Sequence, residues 1–175
     1  MIARSINRLL VPTILLLIFS VTAGAQEVFE EPDGKYTVTL PVGWIAVVNQ
    51  DSLGRKDVNI VYRIRENGAL KVRQVDGVDS NQEVMDFAKQ DEQSVVQFLP
   101  AYDRTSLEKF ALAGGKMGTL LAYDYKNSAG QPFAGRNYYV RSGDSVYILR
   151  FTGRKTTLPS LRNQTDAIAR SFKVK

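Results

Sequence analysis

Apolar and polar residues alternate from Tyr36 to Leu40, with Tyr36, Val38 and Leu40 on one side and Thr37 and Thr39 on the other. That is the period of a half-buried β-strand. Asp33-Gly34 before it is a turn signal, and Pro41, which cannot donate to a ladder, ends the strand or confines it to an edge. Gly43 permits the turn that aims Trp44, the only Trp in the chain, back at the core. Further strands are predicted over Val58 to Glu66 and Leu70 to Val75. The period then lengthens. Ser80 with Glu83 three residues on has the form of a capping box and predicts a helix from about Asn81 to Leu99, stopped by Pro100, with Val84, Phe87, Ala88, Val95, Phe98 and Leu99 as its apolar stripe.

Strands are next predicted over Leu107 to Ala113 and Met117 to Tyr125, joined through Gly114-Gly115-Lys116, followed by a polar loop from Asn127 to Gly135. A second tight hairpin joins Tyr138 to Arg141 with Val146 to Thr152 around Gly143-Asp144. Its strands are apolar on both faces: Tyr138, Val140, Tyr147 and Leu149 against Tyr139, Val146, Ile148 and Phe151. Such strands must be covered on both sides. A last helix begins near Pro159 and presents Leu161, Thr165, Ile168 and Phe172 at helical spacing.

The first residues follow another logic. Arg4 and Arg8 precede a nearly continuous apolar run from Leu9 to Val21, and Ala23-Gly24-Ala25 supplies small residues at the positions a signal peptidase reads. Residues 1–25 are expected to be a signal peptide cleaved before Gln26, because the run is shorter than the roughly 20 apolar residues of a spanning helix. Of the 175 residues, 150 remain in 26–175, which suits one domain. With no Cys there is neither a disulfide framework nor a lipidation site, so the expectation is a soluble periplasmic or extracellular protein with no stable membrane anchor after cleavage.

The formal charge of +5 falls to +3 without Arg4 and Arg8. That bias is mild and does not imply nucleic acid, whose binders show basic stripes and which an exported protein rarely meets.

The pieces together resemble a known group. A Y-x-V-x-L-P-x-G-W opening (Tyr36, Val38, Leu40, Pro41, Gly43, Trp44), a long middle helix, a Tyr-rich late hairpin and a closing I-A-R-S-F-K-V over residues 168–174 are similar to the PsbP-like superfamily. That group includes the PsbP subunit of photosystem II, Ran-binding Mog proteins, and bacterial exported DcrB-like and LpqN-like proteins. The resemblance implies an α+β fold, an α/β/α sandwich around a central antiparallel sheet flanked by helices. It implies no shared catalytic residues, since members act as binding or assembly factors. Tyr36, Pro41, Gly43 and Trp44 read as scaffold, with Trp44 plugging one end of the sandwich.

The absence of both His and Cys removes Ser-His-Asp triads, Cys nucleophiles and His-ligated zinc. Ser106 and Lys109 match S-x-x-K, but the accompanying S-D-N and K-T-G are missing, and Lys155-Thr156-Thr157 only approaches the latter. Gly114-Gly115-Lys116-Met117 lacks P-loop spacing, and no cofactor signature is present. Asp76, Asp79 and Glu83 crowd one loop and offer hard oxygens to Ca²⁺, but not at EF-hand spacing; helix capping accounts for two of them, and no metal site is expected. Asn163-Gln164-Thr165 is a glycosylation sequon inside a predicted helix, where it is discounted.

Asp91 falls inside the apolar stripe, where a carboxylate is costly without a partner. Either the helix kinks or is partly exposed there, or a strand Arg or a Tyr hydroxyl holds the carboxylate.

The expected function is an exported non-enzymatic binding or assembly module that contacts a protein partner in the cell envelope. The alternative is a small hydrolase or ligand carrier using carboxylate, Ser and Tyr side chains, which would need two carboxylates converging in a cleft. Two contact surfaces are expected. One is an apolar loop tip at Pro132 and Phe133. The other is a basic hairpin face: pairing Glu66 with Leu70 would set Ile64 opposite Val72, and would oppose Arg65 to Lys71 and Arg63 to Arg73 on the outer side. That face suits an anionic partner unless Asp86 and Glu92 of the long helix neutralise it.

Overall fold

The computed structural model describes residues 26–50, 52–54 and 56–175. The expected signal peptide, residues 1–25, lies outside them, and no described helix is long and apolar enough to cross a membrane. The strands are β1 (Glu27–Glu30), β2 (Tyr36–Leu40), β3 (Trp44–Gln50), β4 (Lys56–Tyr62), β5 (Ala69–Val75), β6 (Asp103–Ala111), β7 (Met117–Lys126), β8 (Pro132–Ser142), β9 (Ser145–Arg154) and β10 (Lys173–Val174). The helices are α1 (Val84–Ser94) and α2 (Arg162–Ser171).

Seven strands form one antiparallel sheet in the order β3-β4-β5-β9-β8-β7-β6. It is two meanders, β3–β5 and β6–β9, zipped together along a seven-residue β5–β9 ladder. A second sheet of order β1-β2-β10 joins the chain ends. One face of the large sheet packs against α2 and the small sheet, burying Val38, Leu40, Trp44, Leu70, Tyr138, Phe151 and Ile168. The other packs against α1, burying Ala88, Leu121, Tyr123, Tyr139 and Ile148. This is the α/β/α sandwich, with the small sheet added beside α2.

The opening motif works as turn and plug. The Trp44 amide donates to the Pro41 carbonyl at 3.1 Å, and Gly43 has φ +91°, where a Cβ would also lie 2.7 Å from the Tyr62 ring. Glycine alone meets both demands. Trp44 is buried between Tyr62 and Phe151, each 5.7 Å away by ring centroid, and its Nε1 donates to Gln164 at 2.8 Å.

Several elements differ from the sequence expectation. The long helix is shorter at both ends: it starts at Val84, and Glu83 at its N-cap makes no side-chain cap bond, so the Ser80/Glu83 capping box does not form. Arg141 accounts for this, since its guanidinium donates to the carbonyls of Asp79 and Gln82 (3.2 and 2.8 Å) and holds that segment as a turn. Beyond Ser94 the chain passes through Val95 into a 3₁₀ turn over Val96–Phe98. The tighter winding turns Val96 inward and leaves Phe98 exposed, contrary to the expected stripe. The 127–135 loop is shorter than expected, because Pro132–Gly135 already belongs to β8.

Candidate functional site

Among the described residues three carboxylates are buried, those of Asp91, Glu92 and Asp166; Glu92 is held by Tyr102 and Arg104, and the other two draw attention as chemistry. Asp91 on α1 accepts from the Tyr139 hydroxyl (2.8 Å) and from Arg150 (3.0 Å), so the strand Arg and the Tyr hydroxyl both hold it. On the opposite face Asp166 on α2 accepts from Arg136 at 2.7 Å and from Tyr138, whose hydroxyl also meets Thr165 at 2.9 Å. Burial pushes the Tyr138 and Tyr139 hydroxyls well above the ordinary phenol range. Both carboxylates are enclosed, each accepts from an Arg and a Tyr, and they lie on opposite sides of the sheet. They act as struts.

One cleft brings two further carboxylates together. In the cleft of about 200 Å³ between the small sheet and β4–β5, Glu31 and Asp57 are both on the wall. Glu31 accepts from the amides of Asp33 and Lys35, and Asp57 from Lys71 and Asn59. Ser106 and Lys109 sit in β6, where three-residue spacing points them to opposite faces of the sheet. Asp76 accepts from Ser145 (2.7 Å) and Gln74 (2.6 Å), which hold its carboxyl below the usual range, while Asp79 accepts from the Asn81 amide. Among the described residues no group of three His, Cys, Asp or Glu is arranged to hold a metal.

The surface expectations need correction. The β4–β5 register pairs Ile60 with Leu70 and Val61 with Ala69, not Glu66 with Leu70. Residues 63–68 form a six-residue connection in which Arg63 takes φ +57° and lies over the Tyr62 ring, 5.3 Å from its centroid. Arg63 is therefore not opposite Arg73, nor Arg65 opposite Lys71. The β5–β9 ladder sets the register of β5, and the local turn yields to it. Phe133 is buried against Tyr125, with ring centroids 5.8 Å apart, so it is not an apolar tip; Pro132 remains exposed beside it.

A basic face is present all the same, in another arrangement. In β5, Leu70 and Val72 point to the α2 side, so Lys71 and Arg73 point to the α1 side, paired with Arg150 and Ile148 of β9. α1 rests on β7 and β8, leaving the β3–β5 part of this face open. There Ile45 and Val47 are 54% and 44% exposed, and Val61 lies beside Ile45 in the ladder. Lys71 bonds Asp57 at 2.6 Å; Lys71 and Asn59 hold the Asp57 carboxyl below its usual range, and the Arg65 charge adds to that field. An exposed pair of this kind contributes about 0 to 1 kcal/mol, so Lys71 can change partners readily. Among the described residues Arg65 and Arg73 make no ion pair, and the buried Arg150 Nε has no hydrogen-bond partner. Asp86 and Glu92 do not neutralise the patch: Asp86 pairs with Lys89, and Glu92 with Tyr102 and Arg104.

The open face thus joins an apolar strip to four cations, Arg65, Lys71, Arg73 and Arg150, with exposed Asp57 bound to Lys71 and buried Asp91 bound to Arg150. Sequence reasoning missed Ile45, Val47 and Arg150. Arg150 had a signal, as the one charge between Leu149 and Phe151 in an otherwise apolar strand.

The architecture has known counterparts. The cyanobacterial PsbP protein CyanoP of Synechocystis sp. PCC 6803 superposes with a TM-score of 0.59 at 15% identity, covering 89% of this chain and 96% of that one. The fold is PsbP-like. The Ran-binding protein Mog1p of Saccharomyces cerevisiae has the same PsbP-like architecture (TM-score 0.58, 11% identity, 87% and 96% covered). So has LpqN of Mycobacterium tuberculosis, described as involved in cell envelope biogenesis (0.56, 14%, 86% and 91%). No family model matches the chain, and no curated protein matches it in sequence. At these identities the PsbP-like likeness concerns the fold alone.

Proposed function

We propose that the protein is an exported, non-enzymatic binding module of the PsbP-like type, which docks an acidic protein partner on the open α1-side face of β3–β5. The observation that carries this reading is the pairing of exposed Ile45 and Val47 with Arg65, Lys71, Arg73 and an incompletely bonded Arg150. An apolar centre beside cations is the composition of a docking site: burial supplies affinity, and the cations select a partner with carboxylates. The Ran-binding protein among the fold's counterparts supports a protein partner, and the leader-like composition of residues 1–25 supports export. Asp91 and Asp166 are each held by an Arg and a Tyr. Glu31 and Asp57, the two carboxylates on the wall of the cleft between the small sheet and β4–β5, are each hydrogen-bonded to protein groups, which favours the binding reading over the hydrolase alternative.

A photo-crosslinking residue at Val47 tests the docking reading in the producing cell. One protein should be captured, capture should fall at least about tenfold in Arg65→Glu/Arg73→Glu and in high salt, and a control Lys126→Glu should leave it unchanged. Capture indifferent to both charge reversal and salt would overturn it.

A further inference from the structure

We infer that a second site, independent of the docking face, binds a small organic anion with an apolar body. A cleft of about 320 Å³ opens where the β6–β7 connection, the end of β8 and the C-terminal strand meet. Its apolar wall is Leu112, Val140, Phe172 and Val174, and Lys116 and Lys173 flank it from separate elements. No carboxylate lines it.

Three features make this more than a surface dent. Phe172 is wedged against Tyr36 and Tyr147, with centroids 5.3 Å from each, so the apolar wall is rigid. Among the described residues neither the Lys116 nor the Lys173 ammonium makes an ion pair or a side-chain hydrogen bond, although Lys175, two residues on, pairs with Glu30 at 2.6 Å. Arg141 at the edge directs its guanidinium to backbone carbonyls of Asp79, Gln82 and Gly143, so it adds charge with no carboxylate to cancel it. Ser142 also lines the cleft.

Size and charge then define the ligand. At about 30 Å³ for each water-sized unit, the cleft holds about ten non-hydrogen atoms. Two unpaired ammonium groups favour a carboxylate, and the apolar wall favours an alkyl or aryl remainder; neither inorganic anions nor neutral alcohols satisfy both halves. Octanoate, with an eight-carbon chain and a carboxylate, is the simplest probe.

Backbone amide shifts of the ¹⁵N-labelled protein, followed by NMR, read the site directly. Octanoate should shift the amides of Lys116, Ser142 and Lys173 saturably, while acetate, octanol and octylammonium should each bind at least about tenfold more weakly. Lys116→Glu/Lys173→Glu should weaken octanoate binding at least about tenfold without changing the melting temperature, and Lys173→Gln serves if that variant does not fold. Equal binding of octanol or octylammonium, unchanged octanoate affinity in the variant, or no shift at these amides up to about 10 mM octanoate would overturn the inference.

Discussion

Tyr138 and Tyr139 are neighbours in β8 that point to opposite faces of the sheet, and each donates to an Asp of the covering helix that also accepts from an Arg of the sheet. The two trios differ in closure. On the α2 side the Arg136 and Asp166 side chains are 12% and 11% exposed, and Thr165 completes the network. On the α1 side Asp91 is 6% exposed but Arg150 is 29%, with its Nε unpartnered. The reason is coverage. α2 and the small sheet together cover their face, whereas α1 stops over β7 and β8, so Arg150 stands at the margin between sealed core and open sheet. One set of residue types therefore locks one face and borders an open, cation-bearing stretch of sheet on the other.

The sharpest way to break this comparison is to remove the two carboxylates in turn. Asp166→Ala leaves Arg136 buried and uncompensated and should cost about 3 to 5 kcal/mol in denaturant melts. Asp91→Ala should cost less, about 1 to 3 kcal/mol, because Arg150 can turn to solvent. Equal losses would mean that the two faces are equally sealed.

A smaller effect is expected in alkali. Burial raises the hydroxyl pKa of Tyr36, Tyr123, Tyr138 and Tyr139 in the folded protein. Above about pH 10 the unfolded chain therefore binds fewer protons than the native one, and stability falls as pH rises. An ultraviolet titration should show these tyrosines ionising only together with unfolding. Ionisation at the ordinary phenol pH in a still-folded protein would show that water reaches both trios.

Much of this contrast can be read from residues. The two-faced apolar pattern of Tyr138 to Arg141 and Val146 to Thr152 requires cover on both sides, and Asp91 inside an apolar stripe requires a Tyr or an Arg; both requirements are met. The arrangement of the basic face was hidden because it depends on register. Pairing Glu66 with Leu70 treats the β4–β5 hairpin as a local matter, but β5 is held along its other edge by seven pairs to β9, and only two pairs join it to β4. Phe133 was misplaced because Gly135 read as loop. The glycine is needed inside the strand, where a Cβ would lie 2.1 Å from the Tyr123 ring. The β1-β2-β10 sheet was missed because its outer strands are short, and β10 is defined only by pairing with a strand at the other end of the sequence.

The β5–β9 ladder also orders events in time. Its pairs, from Val75 with Val146 to Ala69 with Thr152, join residues 71 to 83 positions apart, a closure costing about 4 kcal/mol of chain entropy before any contact rewards it. A chain emerging from a ribosome or an export channel presents β3–β5 long before β9 exists, with the inner edge of β5 unpaired. Folding of the N-terminal meander must therefore wait for the last third of the polypeptide. A chain truncated before Ser145 should persist as an aggregation-prone fragment, with no half-sized domain to fall back on.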